Sequence, residues 1–263
     1  MSHIVISGLC KEYTEKRRKS RELESSSPGK RLRILEDINL EFEEGEMVCI
    51  LGPSGCGKST LLRIIAGFEQ ATAGEVLVDG KPMRGPSSDH IFVYQHSALL
   101  PWMTVQQNVG LGLRNIKDEE ERNNKIQEYI DMVELTGAGQ RYPYELSGGM
   151  QRRVELARAL AVDPRTLFMD EPFTGLDFLT HMRMREEVVM MHLYTGKSVI
   201  FVTHDIDDAL VMGDRIVILS GRPAAVQLDH KLVHPHPRHI TEEPELLKLR
   251  KEVFFMLGVP DAV

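Results

Sequence analysis

The chain has 263 residues, 42% of them hydrophobic and 27% charged, ordinary proportions for a globular protein long enough to bury a full core as one large or two closely joined domains. Its formal net charge of −7 argues against nucleic acid as the main partner, because polyanion binders carry net positive charge or a strong basic face. No apolar run approaches the roughly 18 residues that span a bilayer; Met1-Ser2-His3-Ile4 lacks a secretory pattern; and Cys10, Cys49 and Cys56 show neither pairing nor metal spacing, so a reduced, cytoplasmic protein is expected.

Residues 3–9 alternate as a first strand that ends near Tyr13. Residues 14–33 change character, with Lys16-Arg17-Arg18-Lys19 followed by Ser25-Ser26-Ser27-Pro28-Gly29, and read as a loop. Its basic run suits either a solvated insertion or contact with anionic headgroups. Residues 34–42 resume as strand, Glu43-Glu44-Gly45-Glu46 turns the chain, and Met47–Leu51 is short and apolar, as a buried strand is.

The next nine residues, Gly52, Pro53, Ser54, Gly55, Cys56, Gly57, Lys58, Ser59 and Thr60, fit the G-x-x-x-x-G-K-[ST] phosphate-binding loop. Leu61–Gly67 follows as a helix that stops at glycine. Glycines let the backbone curl so that successive N–H groups point into one concavity. The helix start adds free N–H groups and a positive dipole end. Lys58 supplies a full charge for β- and γ-phosphates, Ser59 a hydroxyl for Mg²⁺, and Cys56 reads as a small loop filler.

Further on, Glu75–Val78 is a strand with Asp79-Gly80 as its turn, and Ile91–Tyr94 is a buried strand ending at Gln95. Helical signals dominate residues 104–161, with an amphipathic stretch at 118–136, a loop at 137–146 and a helix at 147–161. Thr166–Met169 is a buried strand ending in Asp170-Glu171; 179–195 is a helix in which Met182, Met184, Met190 and Met191 fill packing space. Ser198–Thr203 is a strand ending at His204, 205–212 a helix and 215–219 a strand. His230, His234, His236 and His239 lie in a proline-containing segment without the fixed spacing of a metal site. A tail helix runs from Pro244 to Leu257, with Leu246, Leu249, Val253 and Leu257 apolar and Gly258 as its stop; it either docks on its own core or makes a regulatory contact.

Apolar strands alternating with helices mean a mostly parallel sheet with helices on both faces, and ligands bind at the carboxyl ends of such strands. The stretch between Gln95 and Asp170 is too long for one crossover and must be an inserted subdomain. At the strand ends, Asp170 can hold Mg²⁺ and Glu171 can polarise a water for in-line attack on a γ-phosphate. His204 can meet the γ-phosphate and that water, and Gln95 can reach both metal and water. Ser147 is a good N-cap, and Gly148 and Gly149 allow close approach by a second phosphate. Two anion sites but one loop lysine suggest that the second serves a nucleotide held by another copy.

The set Gly52–Thr60, Gln95, Leu146–Gln151, Thr166–Pro172 and His204 resembles the ATP-binding cassette (ABC) transporter ATPase family over about residues 3–225. The resemblance implies an α/β P-loop NTPase fold with a mostly parallel sheet core, an antiparallel β subdomain and a helical subdomain inserted at about 96–161, followed by a tail over 226–263. It implies a head-to-tail homodimer holding two ATP, with Tyr13 stacking on adenine and Asp177 in the loop coupling the two sites. It also implies Mg²⁺ held by Ser59, Gln95 and Asp170, and catalysis by Glu171, His204 and Gln95. Leu99-Leu100-Pro101-Trp102 with Val105, Gln106, Asn108 and Val109, and Pro244–Leu247 with Leu249-Arg250, look like the importer ATPases for nitrate, sulfonates and taurine. That likeness implies a peripheral protein on the cytoplasmic face of the membrane, bound to integral permease subunits and served indirectly by a solute-binding protein. It places a groove for the permease beside Leu99, Leu100 and Trp102; the alternative is that Trp102 packs under its own subdomain. The long 14–33 insertion and Thr174-Gly175-Leu176-Asp177, in place of Ser-Ala-Leu-Asp, depart from the pattern. A soluble ABC ATPase and a non-hydrolysing nucleotide-binding scaffold are the rival readings.

Overall fold

The computed structural model describes residues 3–14, 31–94 and 98–258, so Gln95, the basic run at 16–19 and the end of the tail lie outside the described residues. In chain order the strands are β1 (Ile4–Thr14), β2 (Arg31–Phe42), β3 (Met47–Leu51), β4 (Ala73–Val78), β5 (Lys81–Pro82), β6 (His90–Val93), β7 (Thr166–Asp170), β8 (Ser198–Val202), β9 (Arg215–Leu219) and β10 (Val226–Lys231). The α-helices are α1 (Lys58–Ile65), α2 (Val105–Val109), α3 (Glu119–Met132), α4 (Gly148–Ala161), α5 (Phe178–Thr195), α6 (Ile206–Met212) and α7 (Pro244–Met256).

Two sheets form. One is antiparallel, in the order β2-β1-β4-β5; the other runs β10-β9-β3-β8-β7-β6 and is parallel except for β10. Every residue of β3, β7 and β8 is buried, as expected of parallel strands covered on both faces. Successive residues serve opposite layers: Met47, Cys49 and Leu51 join Leu167, Met169, Val199 and Phe201 under α4–α7. Val48 and Ile50 join Phe168, Ile200 and Val202 under α1 and the antiparallel sheet. A third core, including Val109, Leu113, Ile126, Ile130 and Val154, is built by the helices inserted between β6 and β7.

Several boundaries differ from the sequence reading for local reasons. β2 starts at Arg31 because the ladder with β1 continues through Tyr13↔Leu32 and Thr14↔Arg31, and Arg33 Nε donates to Glu12 Oε1 across it at 2.9 Å. α3 stops at Met132, and Glu134 just beyond takes a positive φ of 55° that no helix continues through. β10, unforeseen, extends the sheet as an antiparallel edge. Leu99 is buried within the helical core and does not contribute to an exposed apolar patch, whereas Trp102 stands 69% exposed and does not pack under its own subdomain. Met184 and Met191 fill packing space as expected, but Met190 is exposed.

The tail is fastened to the sheet. Leu246 and Val253 are buried in the same core as β3 and β8. Arg250 Nε donates to Asp207 Oδ1 at 2.6 Å, joining α7 to α6. Asp214, in the turn before β9, accepts from the Met47 amide at 2.9 Å and pairs with His192 and His236 at 3.3 and 3.2 Å. His234 lies 3.3 Å from Glu243. The one group of potential metal ligands among the described residues is His181, Asp205 and Asp208, which contains none of the tail histidines. Because Leu246 sits in the sheet's own core, Leu246→Ala is expected to lower global stability by about 2–5 kcal/mol. Chemical denaturation followed by fluorescence would check this; a separate early transition confined to the tail would contradict it.

Candidate functional site

β3, β8 and β7 are neighbours in parallel register, so the loops that leave their carboxyl ends emerge side by side. The first is the glycine loop. Lys58 is buried, and its Nζ donates to the Gly52 and Pro53 carbonyls at 2.7 and 3.2 Å. Two glycines are required by their surroundings. Gly57 takes φ 129°, and a Cβ there would lie 2.8 Å from Ile34 Cγ2. A Cβ on Gly52 would lie 3.0 Å from the buried Cys56 Sγ, which is how Cys56 fills the loop from inside.

Ser59 Oγ donates to Asp170 Oδ1 at 2.7 Å. Burial raises the Asp170 carboxyl above its ordinary range, and the Ser59 hydrogen bond counters part of that rise. A hydroxyl and a carboxylate oxygen converging here make the hard, oxygen-only donor set that Mg²⁺ prefers. Gln95, expected to join them, lies outside the described residues.

Asp170 and Glu171 diverge through the backbone. Glu171 has φ 45°, a left-handed conformation uncommon for a non-glycine residue, while its N–H is held by the Val202 carbonyl at 3.0 Å. The turn carries Glu171 to the end of β8. There its Oε2 lies 3.2 Å from His204 Nδ1 and accepts from Thr174 Oγ1 at 2.9 Å. Tyr13, Gly55, Gly57, Lys58, Ser59, Thr60 and Glu171 line one cavity of about 360 Å³. Glu171 and His204 also line a second of about 210 Å³, with Thr174 and Leu176. Tyr13 is 39% exposed beside the loop, its hydroxyl donates to Glu69 Oε1, and Lys11 Nζ lies 4.9 Å from its ring centroid.

Ser147, Gly148 and Gly149 line neither cavity. Ser147 Oγ caps α4 by accepting from the Met150 N–H at 3.3 Å. The crowding at Gly149 comes from this chain: a Cβ there would lie 2.4 Å from Thr180 Cγ2, whereas Gly148 is open on all sides. Asp177 caps α5, accepting from the Thr180 N–H at 3.1 Å, and its bonds with Thr180 hold its carboxyl below the ordinary range.

The sequence reading missed three groups. Thr174 steadies Glu171. Arg152 of α4 is buried and donates to Pro172 O at 2.6 Å, Tyr94 O at 2.5 Å and Glu155 Oε2 at 2.7 Å, tying α4 to the ends of β6 and β7. Arg222, in the β9–β10 turn, reaches the phosphate loop. The backbone partners of Arg152 and the Gly55 partner of Arg222 are far away in sequence, so periodicity gives no signal for them; Thr174 is only three residues from Glu171, but their bond depends on the turn between them.

Behind His204, His181 Nε2 of α5 lies 2.8 Å from Asp208 Oδ1 of α6, with Arg185 at 3.7 Å and Asp205 alongside. Burial and the neighbouring Asp205 push the Asp208 carboxyl up to about 6, against the opposing pull of His181 and Arg185. The folded chain therefore holds this proton more tightly than the unfolded chain, whose carboxyl titrates near 4, and Asp208 makes stability fall as pH rises from about 4 to about 6. Asp208→Asn should flatten that part of the melting-temperature profile; an unchanged slope would show that Asp208 does not titrate there.

A family model described as ABC transporter matches residues 35–174. An ABC transporter ATP-binding protein of Methanocaldococcus jannaschii is 45% identical over 231 residues, spanning 87% of this chain and 86% of that one. An aliphatic sulfonates import ATP-binding protein of Bacillus cereus is 42% identical over 227 residues, spanning 84% and 87%. Among solved structures, an ATP-binding cassette described as a post-hydrolysis dimer bound to ADP and Pi superposes with TM-score 0.73 at 32% identity, covering 88% of this chain and all of that one. The phosphate loop, the Ser59–Asp170 and Glu171–His204 pairs, the inserted helices and these relatives agree: the chain belongs to the ABC transporter ATP-binding family and is an ATPase of that family.

Proposed function

We propose that this ATPase energises import of a small anion such as nitrate, a sulfonate or taurine, working as a homodimer that closes around two ATP on membrane permease subunits. The observation that carries the ATPase cycle is the placement of Glu171 and His204, 3.2 Å apart, with Glu171 lining the same cavity as Lys58 and Ser59, whose hydroxyl is bonded to Asp170. Lys58 binds the β- and γ-phosphates. Ser59 and Asp170, with Gln95, hold Mg²⁺, which when bound offsets phosphate charge and polarises the γ-phosphoryl group. Glu171 orients the attacking water and accepts its proton, while Thr174 and His204 restrain the carboxylate. Tyr13 offers its ring to adenine.

The dimer reading rests on the exposed, uncrowded Gly148 beside Ser147, remote from its own phosphate loop, and on the dimeric assembly of the solved relative. In it Ser147, Gly148 and Gly149 cover the nucleotide of the second copy, and Asp177 couples the two sites. γ-Phosphate contacts hold the closed dimer, and hydrolysis removes them. The import reading rests on the sulfonate-import relative and the exposed Trp102. Trp102 and Leu111 line a groove of about 650 Å³, and Leu111 also borders a second of about 360 Å³ with Phe68 and Tyr94 in its walls, which is suited to a short helix from a permease. No described helix is long and apolar enough to cross a membrane, in keeping with a peripheral subunit at the cytoplasmic face, fed indirectly by a solute-binding protein.

Glu171→Gln should slow ATP turnover by about 100-fold or more and yield an ATP-bound dimer on size-exclusion chromatography; near-normal turnover would refute the assignment. Trp102→Asp should leave ATP binding intact and weaken co-purification with the integral membrane partner. Undiminished co-purification would remove Trp102 from the interface.

A further inference from the structure

The described nucleotide cavity has a second cation in its wall that the phosphate-loop motif does not contain. Arg222 is exposed in the turn between β9 and β10, and its Nη2 donates to the Gly55 carbonyl inside the loop. It lines the same cavity as Tyr13, Lys58, Ser59 and Thr60. The turn that delivers it is held at several points. Ser220 N–H donates to Ala225 O at 2.9 Å, and the Ala225 N–H donates back to Ser220 Oγ at 2.9 Å. Ala224 N–H donates to Ile34 O at 2.8 Å, and Glu36 N–H donates to Ala224 O at 2.9 Å, binding the turn to β2. Strand β9 also pairs directly with β3, so the turn and the glycine loop leave adjacent strands.

A guanidinium has five N–H donors in a fixed fork. Among the described residues Arg222 uses one of them, on Gly55, and no carboxylate forms an ion pair with it. The remaining donors stand at the wall of a cavity that takes a polyanion, where Lys58 is the one cation of the motif. Arginine suits a non-esterified phosphate, to which its fork donates two parallel charge-assisted hydrogen bonds.

We propose that Arg222 binds the phosphate chain of the nucleotide, as a second cation acting with Lys58 and delivered by the β9–β10 turn. This rests on the nucleotide reading of the site and adds a residue to it. A side chain that merely braced Gly55 would need a donor but no charge, and this distinction sets the test.

The dissociation constant for ATP would be measured on the full chain by titration calorimetry for Arg222→Ala, Arg222→Gln and Arg222→Lys, at low and moderate salt. Loss of a charge-assisted phosphate contact predicts about tenfold weaker binding in the Ala and Gln variants. The Lys variant, which keeps the charge, should recover most of the affinity. The salt dependence of binding should be shallower in the Gln variant than in the native chain. The nucleotide-free melting temperature should stay within about 2 °C of the native value, as for a surface substitution. Native affinity in Arg222→Ala would overturn the proposal. So would native affinity in Arg222→Gln, because a neutral donor would then suffice. Lys58→Ala serves as the separate control: if it abolishes ATP binding while Arg222→Ala does not, the nucleotide site stands and only the role of Arg222 falls.

Discussion

Three parallel strands ending side by side are the constraint on which this molecule depends. β3, β8 and β7 are wholly buried, and their ladders run in one register, Met47 opposite Val199 and Leu167 opposite Val199 on the other side. Burial on both faces leaves no freedom to slip, since a one-residue shift would exchange the two apolar layers. The phosphate loop, the Asp170-Glu171 pair and His204 are thereby fixed relative to one another by apolar packing, before any polar contact among them is made. The 2.7 Å bond between Ser59 and Asp170 and the 3.2 Å approach of Glu171 to His204 are consequences of that register.

Within this frame the chemistry is divided by one backbone angle. Two adjacent carboxylates on a regular strand would point to opposite faces of the sheet. The strand ends at Asp170, and the positive φ at Glu171 lets Asp170 meet Ser59 while Glu171 lines both cavities. The left-handed conformation is held by the Val202 carbonyl on the Glu171 amide and by Thr174 on its carboxylate, so neighbouring structure supports a strained residue at the point where orientation matters.

The elements outside the sheet are attached by charged side chains at their roots. Arg152 fastens α4, and with it the Ser147–Gly149 helix start, to the ends of β6 and β7. Asp214 and Arg250 do the same for the tail, which shares the core under α5 and α6. The β9–β10 turn brings Arg222 to the glycine loop from the opposite side. The groups that line the two cavities are thus supplied by β1, the phosphate loop, the ends of β7 and β8 and this turn.

What could be read in the chain alone was whatever is local. The phosphate loop, the buried strands, the cap at Ser147 and the tail helix from Pro244 to its glycine stop each depend on neighbours within a few residues, so composition and spacing reveal them. The same local logic placed Asp170, Glu171 and His204 at strand ends. Tertiary structure decided what depends on distant partners. Arg31–Arg33 became strand because β1 offered a ladder and Glu12 a counter-charge; Leu99 turned inward because the helical core had room for it; Gly149 must lack a side chain because Thr180 stands over it. Arg222 looks like an ordinary turn residue until β9 pairs with β3 and carries it to Gly55. Periodicity records which face of an element is buried, but only the packed sheet determines which loops meet across it.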